Sequence, residues 1–195
     1  DIFTDFLSGD MALTANNYNR YGDFVNLLST VDYTDTDNYM PWRYYYRVIR
    51  SANLVIKSLG GNDVVPESVS GKHSLGQAKA LRAYGYFYLT QLYAPEYNAS
   101  ATVLPLYKDA DDPIQPQATM EEVYNLMIDD LSSAISLLNG FNRTSKTNIN
   151  ADIAKGLLAY VYASKDDSNS NLLAKDLADE VISSGYPIMS STEVV

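Results

Sequence analysis

The sequence predicts an all-α fold, an irregular stack of helix pairs with long loops between them. Three observations lead there. Apolar residues recur three and four apart in successive segments, the period of one helix face. Alanine and glycine interleave those seams and let neighbouring helices approach closely. Stop and start signals bracket the segments: Gly60-Gly61, the capping box Thr119-Met120-Glu121-Glu122, Gly140 and Gly185. No single pair can bury its own seam, so the pairs must stack.

Asp1–Thr30 is the least legible part. Ile2, Phe3, Phe6, Leu7, Met11 and Leu13 form one apolar helical piece, and Tyr18 to Leu28 a second weakened by Gly22. Val31–Met40 reads as a turn-rich loop. Its aspartates Asp32, Asp35 and Asp37 invite a calcium reading. The register fails, because counting from Asp35 gives no glycine at position six and Tyr46 instead of glutamate at position twelve. Turn hydrogen bonds from the Asp and Asn side chains are the alternative.

Pro41–Leu59 reads as a helix with proline in its first turn. Trp42, Tyr45, Ile49, Ala52, Ile56 and Leu59 make its packing seam, and Asn53 is placed to hold a neighbouring backbone group. Gly60–Ser74 is a polar connection holding the single histidine, His73, which is expected to be exposed. Gln77 to Tyr93 is apolar nearly all round, with Ala78, Leu81, Gly85, Leu89 and Leu92 on one face. Too short to span a bilayer, such a helix belongs between neighbours, with Gly85 at a close approach. Arg82 falls inside this surround and needs a buried partner, for which Asp129 or Asp130 is the candidate.

Asp109–Gln117 reads as an extended acidic linker. The helix capped by Thr119 follows, with Met120, Tyr124, Met127, Leu131, Ala134 and Leu138 facing inward. Thr147–Ser164 packs through Ile153, Ala154, Leu157, Leu158, Val161 and Tyr162. Asn171–Ser184 is amphipathic through Leu173, Leu177 and Val181.

The 195 residues make one domain of ordinary size or two small ones. A net charge of −10 argues against a nucleic-acid backbone as partner and against direct binding to anionic lipid. With no cysteine, disulfides, zinc–thiolate sites and cysteine catalysis are excluded. Serine-nucleophile, zinc-protease, P-loop and dinucleotide motifs are all missing, so the reading is of a protein that is not an enzyme and carries no cofactor, with a glycosidase pair among its many carboxylates as a third alternative. Seventeen tyrosines against five phenylalanines suit a wet surface that must also grip something.

Four stretches carry a family resemblance in the same order. WRYYYRVIRSANLVI resembles the "W-x-x-x-Y-x-x-I-x-x-A-N" helix of the SusD/RagB family, with Trp42, Tyr46, Ile49, Ala52 and Asn53 on its positions. AKALRAYGYFYLTQLY, followed by LPLY, resembles that family's signature helix and exit. Ala94 stands in place of its usual glycine, and Pro95-Glu96-Tyr97-Asn98 is an apparent insertion. The run after Glu121 resembles its "V-Y-x-x-I-x-x-D-L" helix, with Asp130 at the aspartate, and Thr147–Ser164 its alanine-rich helix. S-S-G-Y-P-I is similar to its closing turn.

The resemblance implies a tetratricopeptide-like stack. It also implies a glycan-binding lipoprotein of Bacteroidetes, on the outer face of the outer membrane, that captures oligosaccharide for nutrient uptake. Its expected partner is a SusC-like TonB-dependent transporter. Membrane attachment would come only through a lipid anchor that this chain lacks. Members are more than twice as long, so the chain is expected to be an N-terminal helical domain, residues 1–195, with the C-terminal half elsewhere.

Family sugar sites use the loop before the tryptophan helix, which here is Val31–Met40. Tyr33 and Tyr39 offer rings to stack on sugar, and Asp35, Asp37 and Asn38 offer hydroxyl partners. Trp42 and Arg20 are second choices. The alternative is a helical-repeat scaffold that binds peptide or protein without a sugar role.

Overall fold

The computed structural model describes Ala12, Gly22, residues 32–186 and Thr192. The expectations for Asp1–Thr30, including Arg20, otherwise lie outside the described residues. The chain divides into two compact units, residues 1–46 and 47–195. Among the described residues five helices and one two-stranded ribbon follow in order: α1 (Thr36–Ser58), α2 (Val69–Tyr93), β1 (Thr102–Pro105), β2 (Gln117–Thr119), α3 (Met120–Leu137), α4 (Ala151–Ala163) and α5 (Ser168–Ser183). The fold is therefore all-α with long loops. Helices α2 and α3 pack together, α3 on α4, and α4 on α5.

Helix α1 begins five residues before Pro41, so the second half of the expected loop is helical. Asp35 explains the extra turn. Its Oδ1 accepts from the Asp37 N–H at 2.8 Å, and its carbonyl accepts from Asn38 and Tyr39. Capping of this kind and an aspartate in the first turn stabilise a helix start. They offset Pro41, which has no N–H to donate to the Asp37 carbonyl. Ile49, Ala52, Asn53 and Ile56 are the buried seam. Beyond Ser58, Gly60 and Gly61 take φ of 111° and 101°, and the Gly61 N–H closes onto the Ile56 carbonyl at 3.0 Å.

Helix α2 also starts earlier than its apolar pattern, at Val69 instead of Gln77. Ser68 caps it by accepting from the Gly71 N–H. Gly71 and Gly76 disguise this first part as a connection, since glycine lowers helix propensity. Both have steric reasons. A Cβ on Gly71 would lie 2.7 Å from the Pro66 Cβ, and one on Gly76 would lie 2.8 Å from the Leu138 Cγ. Gly76 is thus a point where α2 and the end of α3 come close. Gly85 is buried, as expected. Leu81 and Leu92 are not: both are exposed, so the apolar surround of α2 is open on that side. His73 is half-buried with its ring 5.0 Å from that of Phe141, contrary to the exposure expected.

The ribbon was not anticipated. β1 and β2 are antiparallel, pairing Thr102 with Thr119, Leu104 with Ala118 and Pro105 with Gln117, with an irregularity between Thr102 and Leu104. Val103 and Leu104 of β1 are buried. Four-residue and three-residue strands are too short for alternation to register. The same region feeds the start of α3. The Met120 and Glu121 N–H groups donate to the Ala101 and Ala99 carbonyls at 2.8 and 3.1 Å. The expected capping box forms, with Glu122 N–H on Thr119 Oγ1 and Thr119 N–H on Glu122 Oε2. The inserted Tyr97 docks edge-on against Tyr124 of α3, ring centres 4.9 Å apart, under the Lys165 ammonium.

The α3 seam is as expected: Met120, Tyr124, Met127, Leu131, Ala134 and Leu138 are all buried. Asn150 caps helix α4, its side chain accepting from the Ile153 N–H, and the helix buries Ala154, Leu158 and Val161. Asp167 caps α5, which starts three residues ahead of the expected Asn171. Gly185, at φ 84°, then turns the chain so that the Tyr186 hydroxyl meets Asp152 and Asn150 at the start of α4. No helix among the described residues is long and apolar enough to cross a membrane.

Candidate ligand-binding site

Two groups of polar residues stand out, one buried and one exposed. The buried group centres on Arg82, only 1% exposed. A guanidinium has five N–H donors in a rigid fork, and here every one is used. Nε donates to Asp130 Oδ2 at 2.7 Å and Nη2 to Asp130 Oδ1 at 2.8 Å. Nη1 serves Asn53 Oδ1 at 2.8 Å and the Lys108 carbonyl at 2.6 Å, and Nη2 also reaches Asn62 Oδ1 at 2.8 Å.

Of the two candidate aspartates, Asp130 is therefore the partner, while Asp129 is exposed. Burial pushes the Asp130 carboxyl above the ordinary aspartate range, against the pull of the Arg82 hydrogen bonds and charge. Asn53 holds a backbone group as expected: its Nδ2 donates to the Tyr107 carbonyl at 3.1 Å. Asn62 and the Lys108 carbonyl complete the shell without having been anticipated. A loop asparagine and a main-chain oxygen leave no pattern in sequence. The ion pair joins α1, α2, α3 and the segment after β1, and with all donors satisfied its role is structural.

The exposed group is the candidate sugar site at the start of α1. Tyr33 is 85% exposed and Tyr39 48% exposed. Both side chains are open to solvent, as a stacking platform requires. The polar residues between them are committed to the turn. Asp32 Oδ1 accepts from both the Thr34 hydroxyl and the Thr34 N–H, which lowers its pKa below the ordinary aspartate value. Asp35 spends Oδ1 on the cap. The Asn38 amide reaches the Asp32 carbonyl at 3.5 Å. Asp37 and Asn38 are half-buried in the first turn of α1, not in a loop.

The turn thus fixes where Tyr33 and Tyr39 stand, and fewer side-chain oxygens face outward than the sequence suggested. Trp42 is half-buried and packs on Tyr46 with ring centres 4.8 Å apart. Sequence reasoning passed over Tyr44, which is 59% exposed. Its position off the Trp42–Tyr45–Ile49 seam is the signal that would have found it.

Comparison with known proteins bears on both groups. Residues 3–163 match the model of a SusD-like family described as starch-binding and associating with the outer membrane. A SusD-like protein of Bacteroides ovatus is 26% identical over 225 aligned positions, taking in 96% of this chain and 40% of the relative. The chain therefore spans about two fifths of the length of that curated relative. A SusD-like carbohydrate binding protein of Bacteroides vulgatus superposes with a TM-score of 0.76 at 22% identity, over 98% of this chain and 46% of its own, a likeness of fold. A structure solved with xylogluco-oligosaccharide matches with a TM-score of 0.72 at 25% identity, over 90% of this chain and 35% of its own. Helix order, the Arg82–Asp130 pair at the expected positions and the match across most of the chain agree: the chain belongs to the SusD-like family.

Proposed function

We propose that this chain is the helical part of a surface protein that captures oligosaccharide and hands it to a TonB-dependent transporter in the outer membrane. The observation that carries the reading is the pair of exposed rings, Tyr33 and Tyr39, beside a hydrogen-bonded turn at the head of α1. The solved relative with xylogluco-oligosaccharide supports sugar as the ligand class. Aromatic rings receive the C–H face of a sugar, while neighbouring hydroxyl and amide groups fix its orientation. Asp35, Asp37, Asn38 and Trp42 serve mainly to position this platform. Binding is the whole task here, with no bond broken.

The test is titration calorimetry on the full-length protein across a panel of neutral oligosaccharides. For the best ligand, Tyr33→Ala and Tyr39→Ala should each weaken binding about 2- to 10-fold, the worth of one aromatic contact. Thermal stability should stay unchanged for Tyr33→Ala, since that ring is almost fully exposed. Affinity purification from detergent-solubilised membranes tests the second half of the proposal, with a β-barrel transporter as the expected companion. If both variants bind sugar as the parent does, the platform lies elsewhere.

A further inference from the structure

Helix α1 carries a charge pattern at odds with the rest of the chain. Thr36–Ser58 holds four cations, Arg43, Arg47, Arg50 and Lys57, against one carboxylate, Asp37, in a chain of net charge −10. Lys57 is paired with Asp111. The three arginines are exposed, and none has a hydrogen-bond or ion-pair partner among the described residues. Spaced four and three apart, they form one row along the helix. At about 100° per residue, Tyr39, Arg43, Arg47 and Arg50 fall within roughly a quarter of the circumference. The row is about 10 Å long at ~1.5 Å per residue.

We infer that the Arg43–Arg47–Arg50 row of α1 is a contact surface for an acidic oligosaccharide, one whose sugar rings carry carboxylates. The inference rests on the proposed sugar-binding role and narrows its substrate class. A guanidinium matches a carboxylate in a planar, bidentate geometry that lysine cannot offer. A row of three suits charges that recur along a chain better than a single carboxylate. Tyr39, on the same face, supplies a ring beside the cations.

A nucleic-acid duplex is the weaker fit. Its charge density, about one per 1.7 Å of duplex, calls for a broad basic surface, and this chain is acidic elsewhere. The overall negative charge is screened beyond about 8 Å at physiological salt, so the row acts at contact range.

The experiment titrates the full-length protein with tetragalacturonate, its fully methyl-esterified form and a panel of neutral oligosaccharides. The acid should bind more tightly than the ester, and added salt should shrink the difference. A triple Arg43→Gln, Arg47→Gln, Arg50→Gln variant should lose roughly tenfold in affinity for the acid, with its circular dichroism unchanged. Equal affinity for acid and ester, or an unchanged triple variant, overturns the inference. Binding of neutral sugars alone overturns it too but leaves the sugar-binding role standing, whereas binding of no sugar removes both. Vesicles containing phosphatidylglycerol form the last arm. Capture by them that the triple variant loses, without galacturonate binding, would reassign the row to lipid and overturn the inference.

Discussion

Breaking the Arg82–Asp130 pair from either side should be costly, and breaking it from both sides much less than additive. Arg82 is 1% and Asp130 2% exposed, so neither charge can turn to water when its partner goes. Asp130→Leu leaves a buried guanidinium with three remaining acceptors, all uncharged: Asn53, Asn62 and the Lys108 carbonyl. Removing one partner of such a pair costs about 3–5 kcal/mol. Arg82→Met strands the carboxylate and also robs Asn53 Oδ1 of a donor, so it should cost at least as much.

The double variant removes both charges and keeps the volume, leaving chiefly the Asn53 penalty of about 1–3 kcal/mol. Urea unfolding followed by circular dichroism on the four proteins gives the coupling directly. With m of about 1–3 kcal/mol per molar for a small domain, a loss of about 3 kcal/mol moves the midpoint by roughly 1–3 M. Should either single variant fail to fold, Asp130→Asn replaces Asp130→Leu as the milder arm. A coupling energy near zero would refute the reasoning, because pairs in one network show about 0.5–3 kcal/mol.

Two glycines should respond in opposite directions to alanine. Gly76→Ala puts a Cβ 2.8 Å from Leu138 Cγ and 3.1 Å from Leu137 Cβ, an overpacking cost of about 1–3 kcal/mol that outweighs the helix-propensity gain. Gly156→Ala, inside α4 with nothing within 4 Å of the new atom, should stabilise by about 0.5–1 kcal/mol; melting temperatures of the two variants check both signs. Thr119→Ala should cost about 1 kcal/mol through loss of the α3 cap, read by urea midpoint. Glu122 and Asp167 have pKa values lowered by the hydrogen bonds of their caps. Their contribution is present above the unfolded carboxylate range and is lost as pH falls through the depressed folded values. Melts from neutral pH down to about pH 3 should show a decline that is shallower in Glu122→Gln.

The parts legible in sequence were those where one residue announces its own needs. A charged side chain inside an apolar helix demands a counter-charge, and Asp130 answered for Arg82. Thr119 and Glu122, three apart before an apolar run, had to cap each other. Less legible were features that depend on a distant neighbour. Nothing in Gly71 or Gly76 says that Pro66 or Leu138 lies against it, so the first two turns of α2 read as loop. The capping role of Asp35 was hidden because a cap and a sugar contact use the same side chain. The proposed platform, Tyr33 and Tyr39, lay between these cases. The positions of Tyr33 and Tyr39 were visible, but the turn that aims them was seen only as polar sequence.

The Tyr86 hydroxyl is buried against the segment that leaves β1, and burial raises its pKa. It accepts the Tyr107 N–H at 2.7 Å and lies 3.2 Å from the Tyr107 carbonyl, to which it donates. One phenol thus satisfies both main-chain groups of a single residue, the office that a neighbouring strand performs in a sheet. The backbone can leave its ribbon at Pro105 and stay fully paired two residues later without a third strand. A helix has lent the sheet a rung. The path of the chain into the Lys108–Asp112 turn is therefore set by Tyr86 on α2 together with Asn53, Asn62 and Arg82, which hold the Tyr107 and Lys108 carbonyls, and the ribbon offers no continuation there for another chain to extend.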